Sequence, residues 1–227
     1  MKVLLVIPAY NEAENIKRVV DNLIQNFPQY DYIVVNDGSK DDTAKICREN
    51  KYSLLDLPVN LGLAGAFQSG LKYAYKKNYD YVVQFDGDGQ HRPEYIQDLL
   101  NEIEKGYDIV IGSRFVTEEK PKTMRMLGSN LISFAIRLTT GKKIKDPTSG
   151  FRIFNKSMIA QFALKTNYGP EPDTVSHLVR MGAKISEVQV KMDERIAGES
   201  YLNFGNSISY MIRMVISILL IQHFRKL

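Results

Sequence analysis

Two carboxylates two residues apart, Asp86 and Asp88, stand in the segment Asp86-Gly-Asp88-Gly-Gln90-His91-Arg92-Pro93. Residues Tyr81–Phe85 before them read as a strand. Pro93 after them opens a helix, where its missing N–H costs nothing. Carboxylates at i and i+2 beyond a strand end can reach one cation together. Mg2+ and Mn2+ favour oxygen ligands and share them with substrate phosphates. Gln90 adds an amide oxygen, and the glycines let a ligand approach the backbone closely.

Two further segments carry chemistry of a complementary kind. Pro8-Ala-Tyr10-Asn11-Glu12 and Asn36-Asp37-Gly38-Ser39 each follow an apolar run. A tyrosine ring can stack on a base, and a carboxylate can accept hydrogen bonds from a base or a ribose. Each segment alone is also a plausible turn and helix cap. A fourth segment, Asn60-Leu-Gly62-Leu-Ala-Gly65, precedes a helix and could hold a phosphate at its N-terminus. It lacks the G-x-G-x-x-G spacing and follows the third strand rather than the first, which argues against a dinucleotide fingerprint.

These segments need elements that bring them to one edge. Val3–Ile7, Tyr32–Val35, Tyr52–Leu57, Tyr81–Phe85 and Ile109–Ile111 read as strands, the first a continuous apolar run of the kind buried on both faces. Between them the pattern predicts helices over Asn11–Asn26, after Asp41-Asp42-Thr43, over about Leu63–Lys76 and after Pro93. Asn11, with Glu14 three residues on, is placed to cap the first of these. This alternation implies an α/β fold, a largely parallel sheet with helices on both faces. Ligands of such sheets bind beyond the carboxyl ends of the strands, where Asp37, Asp86 and Asp88 fall. After Gly112 the rhythm changes. Met124–Leu138 reads as a helix apolar around much of its surface, Gly150–Phe154 as a short strand, Thr174–Met181 as a helix and Ile185–Val190 as a strand. This half is expected to form the acceptor side of one domain.

With 227 residues the chain can bury one sizeable core. The net charge of +4 is too small to argue for nucleic acid. It is unevenly spread, however: Arg114 to Lys165 holds eleven Lys/Arg against three Asp/Glu. Such a stretch suits a surface facing phosphates or an anionic membrane, or forms a solvated basic face. Cys47 is the one cysteine, so no intrachain disulfide forms, and a cytosolic setting fits. Its place in a predicted helix suggests a buried apolar role. The N-terminus does not read as a signal peptide, and no apolar run reaches the ~20 residues of a spanning helix.

Taken in order, Pro8-Ala-Tyr10-Asn11-Glu12, Asn36-Asp37-Gly38-Ser39, Asp86-x-Asp88-x-Gln90-His91-x-Pro93 and Gly112-Ser113-Arg114 resemble the inverting family 2 glycosyltransferases of GT-A fold. Asp146-Pro-Thr-Ser149-Gly150-Phe151-Arg152 and Arg195-x-x-Gly198-Glu199-Ser200 are similar to their dolichyl- and polyprenyl-phosphate mannosyl- and glucosyltransferase branch. The resemblance covers about residues 2 to 203. It implies that Pro8, Tyr10, Glu12 and Asp37 hold the nucleotide. It implies that Asp86, Asp88 and Gln90 hold Mg2+ or Mn2+ and the diphosphate. Arg114, Arg125, Ser129, Arg195 and Ser200 would face the acceptor phosphate or the donor diphosphate. Two positions depart from the branch: Asn36 stands where a second Asp is common, and Tyr201 where the mannosyltransferases usually carry Lys.

The expected reaction is transfer of a sugar from a UDP- or GDP-sugar, with inversion. A phosphate monoester acceptor is already largely ionised near neutral pH, its second pKa being about 6, and needs no strong base. A hydroxyl of a growing glycan would need a carboxylate, for which Glu171 and Asp173 are the candidates beside a plain helix-capping role. A nucleotidyltransferase or a non-catalytic nucleotide-sugar sensor are readings from other classes. The C-terminal segment 204–227 is expected to stand apart from the catalytic domain 1–203 as a helix. Ile208–Ile221 is apolar except for Ser209, Arg213 and Ser217, a narrow polar stripe on a helix of about 21 Å, shorter than the ~30 Å hydrocarbon core. It would pack on the domain, or dock on the inner membrane surface, on a small membrane subunit or on a second copy of the chain.

Overall fold

The computed structural model describes residues 1–165, 169, 171–194 and 204–224, leaving aside the side chains at 125, 204–208 and 223. Arg195 and Ser200 lie outside the described residues. The elements run β1 Val3–Ala9, α1 Ile16–Asn26, β2 Asp31–Asp37, α2 Thr43–Glu49, β3 Leu54–Leu57, α3 Gly62–Lys76, β4 Tyr81–Gln84, α4 Ile96–Ile103, β5 Ile109–Ser113, α5 Met124–Thr140, β6 Arg152–Asn155, α6 Lys156–Leu164, α7 Pro172–Arg180, β7 Ile185–Gln189 and α8 Phe204–Leu219. The seven strands form one sheet in the order β3-β2-β1-β4-β6-β5-β7. All neighbours pair in parallel except β6, which runs antiparallel between β4 and β5. This is the mixed α/β, mostly parallel sheet expected of a GT-A domain.

The apolar run of β1 explains its central position. Leu4 and Val6 face one core with α3, α5, α6 and α8, while Val3, Leu5 and Ile7 face another with α1 and α4. Cys47, on α2, lies fully buried in the second core, and burial pushes its thiol up to about 11. Gly70 of α3 crosses β1 where a Cβ would meet Val6 at 2.2 Å, so the helix can lie this close only without a side chain there.

Three expectations need correction. Asn11 does not cap a helix: its φ is +55°, its Oδ1 accepts the Lys40 N–H, and α1 begins only at Ile16. Residues 11–15 are used to reach the loop after β2 instead. The strand expected from Gly150 starts at Arg152, because residues 146–150 turn back toward β5. Helix α6 was not anticipated; it follows β6 without a break, capped by the Asn155 side chain on the Met158 N–H at 3.0 Å.

Helix α8 packs against α5 and α7. Met214 and Ile218 enter the same core as the rest of that face. The polar stripe is divided: Ser217 is buried and bonded inward, while Ser209 and Arg213 are exposed. No described helix is long and apolar enough to cross a membrane.

Candidate active site

The parallel strands bring all four segments to one sheet edge, and short side chains bind several of them to one another. From the loop after β1, Asn11 N–H donates to Ser39 Oγ at 3.0 Å, Glu12 N–H to Thr43 Oγ1 at 2.9 Å and Ala13 N–H to Asp41 Oδ2 at 3.0 Å. The loop after β2 is fixed in turn to the segment after β3. Asp37, 3% exposed, accepts the Leu61 N–H at 2.7 Å, and Asn36 donates to Asp56 at 2.6 Å. Gly38 has φ +64°, and a Cβ there would lie 2.7 Å from the backbone of Val59 and Asn60. The Asn36 amide thus spends a donor on Asp56, the contact a second Asp could not make. Tyr10 stays 39% exposed at the edge, while Glu12 accepts from the Asn15 amide at 2.8 Å. Pro8, near the end of β1, is half-buried.

The loop after β4 holds the paired carboxylates. Asp88 is buried, and its Oδ1 accepts the Gln90 N–H at 3.0 Å. The Gln90 amide donates through Nε2 to the Asp193 carbonyl at 3.3 Å. His91 is also buried, stacked on Phe151 at 4.7 Å and edge-on to Phe85. Its Nδ1 accepts the Asp86 N–H at 3.0 Å, so the neutral ring carries its proton on Nε2, 3.4 Å from Asp86 Oδ2. His91 therefore orients the first carboxylate of the pair. Gly150 comes from the other side, where a Cβ would stand 3.2 Å from Asp86 Oδ2.

The donor types on this loop, two carboxylates and an amide, suit a hard divalent cation. Asp86 and Asp88 stand two residues apart on one loop, with Gln90 two further on, and a side chain at position 150 would crowd Asp86. Among the described residues no three His, Cys, Asp or Glu groups form a complete protein cage. A three-oxygen set of this kind suits a cation that takes its remaining ligands from substrate phosphates and water.

The segments after β5 and before β6 are held together by buried charges. Arg114 forks onto Asp146, Nε to Oδ2 at 2.8 Å and Nη2 to Oδ1 at 2.9 Å. Asp146 is fully buried, and Glu187 accepts its N–H and that of Lys145. Ser129, on the inner side of α5, accepts from Lys120 Nζ at 3.0 Å. Burial holds the Lys120 ammonium below its ordinary range, against the attraction of Asp146 and Glu187. Arg152 is 2% exposed and donates to the Pro147 carbonyl at 2.7 Å; its burial also lowers its pKa, opposed by Glu171, Tyr210, Asp146 and Asp86.

The two expected base candidates are occupied. Asp173 is buried in the first turn of α7, where Oδ2 accepts from Ser217 at 2.6 Å and Oδ1 from the Thr174 N–H at 2.8 Å. Glu171 accepts from the Tyr210 hydroxyl. In these contacts both carboxylates hold α8, a structural reason for their place that sequence reading did not supply. Arg125 lies in the first turn of α5. Beside the loop after β4, Asp193 N–H donates to the Gln90 carbonyl at 2.9 Å and Arg92 pairs with Asp193. Sequence reading missed Lys120 and gave no role to His91 or Arg152. Only the last two sit inside a quoted motif; Lys120 follows two glutamates, and nothing in that run marks it.

The chain is 31% identical over 217 residues to undecaprenyl-phosphate mannosyltransferase of Micrococcus luteus, covering 90% of this chain and 89% of that one. It is 28% identical to polyprenol monophosphomannose synthase of Mycolicibacterium smegmatis, covering 90% of this chain and 82% of the relative. Among solved structures, glucosyl-3-phosphoglycerate synthase from Mycobacterium tuberculosis, in complex with Mn2+, UDP and phosphoglyceric acid, superposes with a TM-score of 0.69 at 22% identity, covering 97% of this chain and 78% of that one. At that identity the likeness establishes the fold alone. The sequence profile of glycosyl transferase family 2 matches residues 4–162, and the chain is a glycosyltransferase that belongs to this family.

Proposed function

We propose that the protein transfers a sugar from a UDP- or GDP-sugar to a polyprenyl phosphate, with inversion at the anomeric carbon, using Mg2+ or Mn2+ held by Asp86, Asp88 and Gln90. The observation that carries this reading is the convergence of the Asp86–Asp88 pair with the laced loops after β1 and β2 on one sheet edge. Relatives named for undecaprenyl and polyprenol phosphates support the acceptor class.

Tyr10 would stack on the base, with Pro8 beside it, and Glu12 and Asp37 would bound the nucleoside pocket. When bound, the cation supplies charge that offsets the departing nucleoside diphosphate. His91 keeps Asp86 turned toward that position. Lys120 and Ser129 would face the acceptor phosphate, along with Arg125, Arg195 and Ser200. Arg114 acts by holding the Asp146 loop in place. A phosphate monoester acceptor arrives ionised, so no proton has to be removed in the step. A glycan hydroxyl would need one of the two carboxylates that here hold α8, which favours the phosphate. The protein would work at the inner face of the membrane, where such acceptors reside, with α8 as an element open to a membrane subunit or a second copy.

The test is transfer of labelled sugar, with added Mn2+ or EDTA, to a polyprenyl phosphate and to the matching dephosphorylated polyprenol. Cation-dependent transfer to the phosphate alone is expected. Equal transfer to the alcohol would overturn the acceptor assignment.

A further inference from the structure

We propose that α5 is the surface by which this protein seats itself on an anionic membrane. The helix exposes Met124, Leu127, Leu131, Phe134 and Leu138, each between 54% and 67% accessible. The intervals are three, four, three and four residues, so all five stand on one face, a stripe about 21 Å long. The opposite face is in the core through Met126, Ile132 and Ile136. Sequence reading took this helix as apolar around much of its surface; the fold leaves one whole side of that surface uncovered. Helix α8, which packs on α5, exposes Ile212 and Ile216 as well, and Leu220 follows just beyond its end. A soluble domain rarely leaves so continuous an apolar face open without a partner.

Charge decides which partner. No Asp or Glu occurs between Lys120 and Lys145. Lys122, Arg137, Lys142 and Lys143 are all exposed at the two ends of the stripe. Two copies joined through this face would bring basic groups against basic groups. A layer of anionic headgroups meets them with opposite charge while its acyl region takes the apolar side chains, the arrangement of a helix lying in the interface plane. The inner side of the same helix carries Ser129, with Lys120 on it. Seating α5 on the lipid would therefore place those two groups one helix-width from the headgroups, where a lipid-linked phosphate lies. This purpose rests on the polyprenyl phosphate reading; the contact itself does not.

The experiment compares the full chain with the Leu131→Glu/Phe134→Glu and Lys142→Glu/Lys143→Glu variants. Flotation is measured with vesicles of phosphatidylcholine alone and with added phosphatidylglycerol. Size in solution and transfer to a short, water-soluble prenyl phosphate are measured alongside. The wild type is expected to float with the anionic vesicles and to be released by high salt. Each double variant should lose at least about tenfold in vesicle affinity, with size and soluble transfer unchanged. Flotation equal to wild type in the Leu131/Phe134 variant would overturn the proposal. So would a wild-type dimer that this variant dissociates, which would make a second copy the occupant. Failure of soluble transfer in the wild type, with flotation as expected, would count against the acceptor reading and leave the docking face standing.

Discussion

The loops after β1 and β2 and the loops around β6 reach the same site by different means. After β1 and β2, backbone N–H groups are met by short neutral or single carboxylate side chains, Ser39, Thr43 and Asp41. The parallel strands below have already put the loops in register. Beyond β5 the antiparallel β6 has to be inserted between β4 and β5, and its approach from residues 146–150 is held by charged groups: Arg114 with Asp146, Glu187 beneath them, and Arg152 buried nearby. A turn atop a strand needs only turn chemistry, whereas a return strand beside it needs charges taken out of water, which are costly to leave unmatched. Breaks on the two sides should therefore differ in kind, chemistry lost in a sound fold on one, stability lost on the other.

The largest effect should be on the loop after β4. Asp88→Asn is expected to lower kcat by roughly a thousandfold, about 4 kcal/mol of barrier, with an unchanged far-UV spectrum and Tm. Full activity there, or in excess EDTA, would remove the contrast at its root. Asp146→Ala should invert the pattern, because it leaves the Arg114 guanidinium facing a cavity. Breaking such a pair costs about 3–5 kcal/mol when fully buried, and Arg114 is partly exposed, so the lower end of that range is expected in urea titration. Much of the chain should lose activity through unfolding, and lowering the temperature should restore part of it.

Asp173→Asn and Ser217→Ala sharpen the comparison from the other side. Each should cost about 1 kcal/mol and leave transfer to a phosphate acceptor within about threefold. A pH–rate limb that vanishes in Asp173→Asn would instead make this carboxylate a working base and revive the hydroxyl-acceptor reading. The smallest effect belongs to Asp41. Burial alone would raise its pKa, but the Thr43 hydroxyl and the backbone N–H groups of Thr43 and Ala13 outweigh it and hold the carboxyl below the usual range. A depressed folded pKa stabilises above the unfolded value and is lost as pH falls through the folded one. Tm of the wild type should therefore fall slightly more steeply below about pH 4 than that of Asp41→Asn, and parallel curves would show that this lacing adds nothing.

How much was legible follows the same division. Strands β1, β2, β4 and β5 announce themselves as apolar runs, and the chemistry-bearing segments follow them directly, so the parallel half could be read within a residue or two. Asn11 misled because Asn caps helices and also adopts positive φ, and only contact with Lys40 decides between the two. The place of β6 could not be read, since a four-residue strand carries no direction in its sequence. Lys120, Arg152 and His91 depend on that insertion for their neighbours. The stripe on α5 was present as a spacing, but its exposure depends on which helices pack around it.

The buried Cys47 has a practical consequence for labelling chemistry. With its thiol pushed up to about 11, little of it is thiolate at neutral pH, and the sulfur is closed off in the core. The native chain is in effect a blank for maleimide or nitroxide reagents. One cysteine introduced on α5, such as Leu127→Cys, would then be the sole site to react, and its spectrum would report the polarity and depth of whatever lies over that helix without any background to subtract.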